Sequence, residues 1–176
     1  AAQPTYYRHN VQLGLGAGRP GLDLRPFFTD SPSLTVSYGY RFHQNFQAEI
    51  GWDTVFGAGR VKDFLFIEGF FPLRIRDYQF FLPFGGRAIW PLRDERVHIF
   101  GGGGGAYMRY TEMVRQPSTY YRISCPTCGS RHGLGYYALA GLSFALDEAQ
   151  HFRLGFTTKM YSGTTEGEPV GQLATF

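Results

Sequence analysis

Cys125-Pro126-Thr127-Cys128, followed by Gly129 and His132, is the stretch in which residue type and spacing point most directly to chemistry. Two cysteines at this spacing can close a disulfide, ligate a metal or cycle between thiol and disulfide. In an exported chain the favoured reading is a disulfide within the loop, since oxidising compartments pair cysteines. A CPxCG turn is also half of a zinc ribbon, but Cys125, Cys128 and His132 fall short of four ligands, and a second copy would have to complete the set. Thioredoxin-like exchange places the motif at the start of a helix that lowers the thiol pKa, and no helical period surrounds it. Free thiols are the remaining state. A c-type haem is excluded because Gly129, not His, follows Cys128. The favoured reading therefore carries no metal and no cofactor.

Nucleophilic catalysis would need a histidine aligned with a serine or a carboxylate. The histidines are His9, His43, His98, His132 and His151. His43, His98 and His151 sit at or beside expected short turns and read as solvated turn residues. His132 has Ser130 and Glu112 within reach, yet no spacing links them as a triad. The expectation is no enzyme activity and no catalytic residue.

A third constellation emerges from alternation. From Leu134 every second residue is apolar or aromatic up to Leu146, and after Asp147-Glu148-Ala149-Gln150 the pattern resumes at Phe152, Leu154, Phe156, Thr158 and Met160. These are two strands and a tight turn. Between the apolar positions of the second strand lie Arg153 and Lys159. The same alternation elsewhere places Arg41, Glu49, Asp53, Arg87 and Arg109 on the face opposite the apolar one. One face is long, apolar and bounded by aromatics, and the other carries charges that need partners. That suits a barrel with lipid outside and an interlocked polar network within, narrow enough to be filled by side chains. The expected interior network is Arg41, Glu49, Asp53, Arg87, Arg109, Arg153 and Lys159, and a proton- or ion-conducting pore is the competing use of the same residues.

Further strands are expected over Tyr7–Ala17, Leu34–Phe42, Phe46–Phe56, Phe80–Leu92 and Val97–Tyr110, with Val170–Phe176 as the eighth. Residues 57–79 are expected to be a long loop rather than an extra strand pair, because the short turns at His43–Asn45, Arg93–Arg96 and Asp147–Gln150 then share one end. In Val97–Tyr110 the apolar set Phe100, Ala106, Met108 and Tyr110 is assigned outward, with Tyr107 and Arg109 inward. The lipid-facing or girdle positions are Phe42, Phe46, Trp52, Trp90, Leu142 and Phe156. Tyr6, Tyr7, Phe56, Tyr110, Tyr136 and Tyr161 are expected to join them at the headgroup level.

At 176 residues, 18% aromatic and with 24 glycines, the chain is expected to be a single domain, 1–176, of antiparallel strands. Its longest charge-free apolar run, Leu134–Leu146, is shorter than the about 18 residues that a spanning helix needs, so any crossing is by strands. The net charge of +3 is spread without a Lys/Arg block, which speaks against nucleic acid as a partner. The start Ala1-Ala2-Gln3-Pro4 reads as the end left by signal-peptide cleavage.

Arg41-Phe42-His43-Gln44-Asn45-Phe46-Gln47-Ala48-Glu49-Ile50-Gly51, the glycine run into Ala106-Tyr107 and the terminal Phe176 resemble the small outer-membrane β-barrel proteins of Gram-negative bacteria, the OmpA/OmpX/OmpW-like group. The resemblance implies an up-and-down transmembrane β-barrel of about eight strands with short periplasmic turns and long outer loops. It also implies the outer-membrane bilayer as environment and Phe176 as the residue read by the insertion machinery. Its work would be structural, adhesive or self-assembling through the outer loops, as a homo-oligomer or polymer. The alternative is a narrow channel or a barrel for small apolar ligands. The last segment is shorter and less apolar than the closing strand of that group. If the sequence stops short of a further strand, Gly163–Phe176 is expected to be loop or tail, with an unpaired edge for a neighbouring copy to cover.

Overall fold

The computed structural model describes residues 6–19, 30–56, 64–65, 73–92, 96–114, 130–165 and 168–175. Its strands are β1 (His9–Arg19), β2 (Ser31–His43), β3 (Phe46–Phe56), β4 (Phe64–Leu65), β5 (Leu73–Leu92), β6 (Val97–Val114), β7 (Ser130–Ala145), β8 (Arg153–Thr165) and β9 (Glu168–Thr175). Every ladder is antiparallel. The strands follow one another round a ring from β1 through β2, β3, β5, β6, β7, β8 and β9, and β9 pairs back with β1. This is an up-and-down barrel of eight strands, with β4 added beside β5. The connections β2–β3, β5–β6 and β7–β8 are short and lie at one end, here the turn end. The longer connections β1–β2, β3–β5 and β6–β7 lie at the other, the loop end, together with the short β8–β9 link.

The alternation that defines the strands also sets their facing. Leu15 is 86% exposed, Val11 73% and Phe152 71%, whereas Asp53 is wholly buried and Lys159 2% exposed. Apolar side chains outside and charges inside invert the order of a soluble protein. Phe42, Phe46, Trp52, Trp90, Leu142 and Phe156 are all on the outer wall, and Phe42 stacks on Phe46 beside the first turn.

The region from Gly57 to Gln79 is not the plain loop expected. Strand β5 begins at Leu73, and Phe64–Leu65 pairs with Leu73–Arg74. The charges Arg74, Arg76 and Asp77 suggest a loop, but a ladder that runs past the lipid has no reason to exclude them.

Strand β6 faces the opposite way from the expectation. Phe100, Ala106 and Met108 are buried inside, and Ile99 and Arg109 are exposed on the wall. The cause is the cross-strand partner. Arg87 pairs with Gly102 and Phe84 with Gly105, so the inward parity of Arg87 passes to Gly102 and, two and four residues on, to Gly104 and Ala106. A β-carbon at Gly102 would overlap the Gly86 carbonyl, and one at Gly104 the Phe84 carbonyl. Only glycine permits this approach of β5 to β6.

Tyr161 is another correction. It is 1% exposed, inside the barrel and not in a girdle, because it shares the parity of Lys159. Tyr110 likewise shares the parity of the inward Met108 and is half-buried.

Candidate functional site

Two buried ion pairs lie in the interior, one across the lumen and one between the neighbouring strands β3 and β5. Lys159 on β8 donates to both carboxylate oxygens of Asp53 on β3, at 3.1 and 2.9 Å, and Tyr161 donates its hydroxyl to Asp53 Oδ2. The ring of Tyr161 stacks on Phe81 at 4.4 Å and lies 5.9 Å from Tyr137. Val55, Ala106 and Met108 complete an apolar packing in the loop-end half. Nearer the turn end, Arg87 on β5 pairs with Glu49 on β3 and lies 4.7 Å over the Phe100 ring. Tyr137 donates to Glu49 Oε1 at 3.2 Å, and Arg87 donates to Gln12 Oε1 at 3.3 Å. Each charge in these clusters thus has a charged partner, and Asp53, Glu49 and Arg87 have a further hydrogen bond or ring contact besides, the condition for keeping charge out of water.

The remaining members of the expected network lie elsewhere. Arg41 is at the turn end, donating to the Gln44 carbonyl with its guanidinium 5.0 Å from the Tyr6 ring. Arg153 is also at that rim, where Ser143 Oγ, Gln150 Oε1 and the Arg96 carbonyl accept from it. Arg109 is exposed at the loop end and donates to Ser130 Oγ at 3.4 Å. It misses the interior because β6 has the reverse facing. Cys125, Cys128 and Phe176 lie outside the described residues. His132 is exposed, stacked on Tyr107 at 6.4 Å. Among the described residues no group of three or more His, Cys, Asp or Glu is placed to hold a metal ion.

Gln12, Tyr137 and Tyr161 are network members that the charge-based reading missed. Their parity was available, since each sits between two outward residues of its strand. Polar neutral side chains at inward positions were the signal.

At the turn end His151 links the approach to β1 with its own turn. Its Nε2 meets the Tyr7 hydroxyl at 2.7 Å, and its Nδ1 meets Asp147 Oδ2 at 3.1 Å. Asp147 also accepts from the backbone amides of His151 and Phe152. The Phe152 amide, and then His151, hold the Asp147 carboxyl below the usual carboxylate range. The arrangement clasps the start of β1 to the β7–β8 turn. Above it, a cavity of about 1120 Å³ fills the turn-end half of the barrel, bordered by Gln12, Ser37, Arg41, Arg87, His98 and Ser143.

An antiparallel ring of eight strands with apolar side chains outward and paired charges inward can now be set beside known structures. The crystal structure of Ail, the attachment invasion locus protein of Yersinia pestis, superposes with a TM-score of 0.55 at 12% identity, covering 95% of this chain and 91% of Ail. This is the fold of a small outer-membrane β-barrel. A second Ail structure, in complex with the heparin analogue sucrose octasulfate, gives a TM-score of 0.53 at 13% identity over 95% of this chain and 92% of that one. No protein-family model and no curated protein matches the sequence. In the outer-membrane barrel fold the lumen is polar and the wall apolar, and the two ion pairs here are the lumen's fixed charges.

Proposed function

We propose that this chain is a non-enzymatic outer-membrane β-barrel of a Gram-negative bacterium, working through its loop end as an adhesive, anchoring or self-associating surface. The observation that carries the reading is the inverted facing: Leu15, Val11 and Phe152 exposed on the wall while Asp53 and Lys159 pair inside. A wall of that kind is stable against hydrocarbon and costly against water. Stacked rings and the Asp53–Lys159 pair pack the loop-end half of the lumen, so activity is assigned to the rim rather than to passage through the barrel. Arg109 and Arg131 give that rim a cationic side, which favours an anionic surface as partner. Sucrose octasulfate on Ail is a ligand of that chemistry, bound by that protein. A disulfide between Cys125 and Cys128 and export by a cleaved signal peptide belong to the same reading.

The test is reconstitution into liposomes, followed by binding of a sulfated polysaccharide. Retention that falls when Arg109 and Arg131 are changed to Ser supports the adhesive reading. Retention unaffected by those changes would refute it. The second reading, a narrow channel or a chamber for small apolar molecules, draws on the cavity at the turn end. Stable unit conductance steps in planar bilayers, abolished by Arg87→Ala, would favour the channel.

A further inference from the structure

Strand parity sorts the residues of the loop-end rim by the side they face. Arg109 pairs with Phe80 on β5 and with His132 on β7, and all three belong to the outward set of their strands. Arg131 pairs with Tyr110 and belongs to the inward set. Along β6 the outward positions run from Val97 to Tyr107 without a charge, about ten residue steps or roughly 33 Å of strand. At a tilt of about 40° that contour rises about 25 Å, the height of an apolar belt. Arg109 is the next outward residue, so it stands where hydrocarbon gives way to headgroups.

Two outward arginines mark this level and differ in their partners. Arg19, which follows Val11, Leu13, Leu15 and Ala17 on β1, is held by Asp30 at 3.3 Å. Arg109 is exposed, has no ion pair among the described residues, and donates to Ser130 Oγ at 3.4 Å. Beside it His132 is exposed with its ring stacked on Tyr107, 6.4 Å between centroids, and the imidazole offers a further N–H. A guanidinium, an imidazole N–H and a hydroxyl grouped on one patch match the several acceptor oxygens of a phosphate. Directly below lie Tyr107, Leu134 and Tyr136, and the last two are 70% and 65% exposed. A soluble anion leaves that apolar part uncovered. A phosphate that carries acyl chains covers both.

We propose that Arg109, His132 and Ser130 seat a phosphate of a phosphorylated, acylated glycolipid in the outer leaflet, with its acyl chains laid along Tyr107, Leu134 and Tyr136. The inference rests on the reading above for the side of the envelope that the loop end faces, since the outer leaflet of a Gram-negative outer membrane is built of lipid of this class. It goes beyond that reading in giving the two rim arginines different work. Arg109 holds the lipid that surrounds the barrel, and Arg131, of inward parity, serves the partner beyond the rim.

The experiment uses the full chain folded in a zwitterionic detergent and titrated with bis-phosphorylated lipid A, and it counts retained lipid by native mass spectrometry. The expected result is saturable retention by the native chain, weakened about tenfold or more by Arg109→Ser and left unchanged by Arg19→Ser. Lipid A stripped of its phosphates, and phosphatidylglycerol, should both be retained less well by the native chain. Equal retention by the native chain and Arg109→Ser would overturn the proposal, as would equal retention of lipid A with and without its phosphates. Phosphatidylglycerol held as tightly as lipid A would overturn the choice of a glycolipid. Heat-modifiable mobility in gels reports folding separately, and its absence in the native chain would count against the membrane reading itself. If Arg109→Ser does not fold, Arg109→Gln and the phosphate-free lipid on the native chain decide. Binding of the sulfated polysaccharide, with Arg131→Ser as its variant, is read apart from lipid retention, so its failure counts against the adhesive reading alone.

Discussion

The wall from β5 to β7 and the wall from β8 to β1 are made of similar strands and are closed to very different degrees. Strand β6 is paired on both edges from Val97 to Thr111, although five of its residues in a row, Gly101 to Gly105, are glycines. Strand β1 has a cleaner alternation, yet among the described residues one edge is bonded to β9 only at Gly18 and Arg19. Side-chain pattern tells which way a strand faces, and says little about how closely its neighbours approach. What a glycine-rich strand loses in intrinsic preference it regains when partners approach closely on both sides.

The largest test of this contrast concerns Asp53 and Lys159, which tie β3 to β8 at the level where β9 ends. Asp53→Ala should strand the Lys159 charge and lower stability by about 3–5 kcal/mol, read as the urea midpoint in detergent. Adding Lys159→Met should restore most of it. An unchanged midpoint in the single variant would mean that the wall from β8 to β1 does not rely on this tie.

Next in size is a cation on each wall. Leu142→Arg, on the fully paired side, should cost about 2–4 kcal/mol at mid-bilayer. Leu13→Arg should cost less, because a guanidinium on the less bonded wall from β8 to β1 can bend inward. Equal folding yields from lipid vesicles would erase the distinction.

Hydrogen exchange sharpens it further. The Gly103 amide should be protected about a hundredfold or more beyond that of Leu13, and within β1 the Gln12 amide should outlast that of Leu13. The smallest effect is a pH dependence at the β7–β8 turn. The Asp147 carboxyl is held below its ordinary range by the Phe152 amide and then by His151. A depressed folded pKa contributes stability that is present at neutral pH and is lost as pH falls below about 4. Asp147→Asn should flatten that slice of the midpoint-versus-pH curve between pH 6 and pH 3.

Much of the architecture was legible because lipid imposes a period of two. The turn at His43–Asn45 and the outward Phe46, Ile50 and Trp52 follow from alternation alone, as does the inward Glu49 and Asp53. Legibility failed where alternation carried no information. Glycine has no side chain to mark a face, so the facing of β6 had to be guessed from Phe100 and Met108, which are as well suited to packing against Tyr161 and Arg87 as against lipid. It failed again beyond the lipid, where the charges of β5 are no obstacle to a ladder. In the lumen, charge pointed to Glu49, Arg87, Asp53 and Lys159, but the phenols and amides that complete their bonding carry no charge and were overlooked.

The β5–β6 hairpin has one more consequence. Strands of 20 and 18 residues, at roughly 3.3 Å per residue, form a ribbon on the order of 60 Å in contour, more than twice the roughly 25 Å height of an apolar belt even before tilt. One side of the molecule therefore stands above the other like a mast set off centre. A tug on its tip would travel as shear down the most continuously bonded pair of strands, leaving the weakly joined side unloaded.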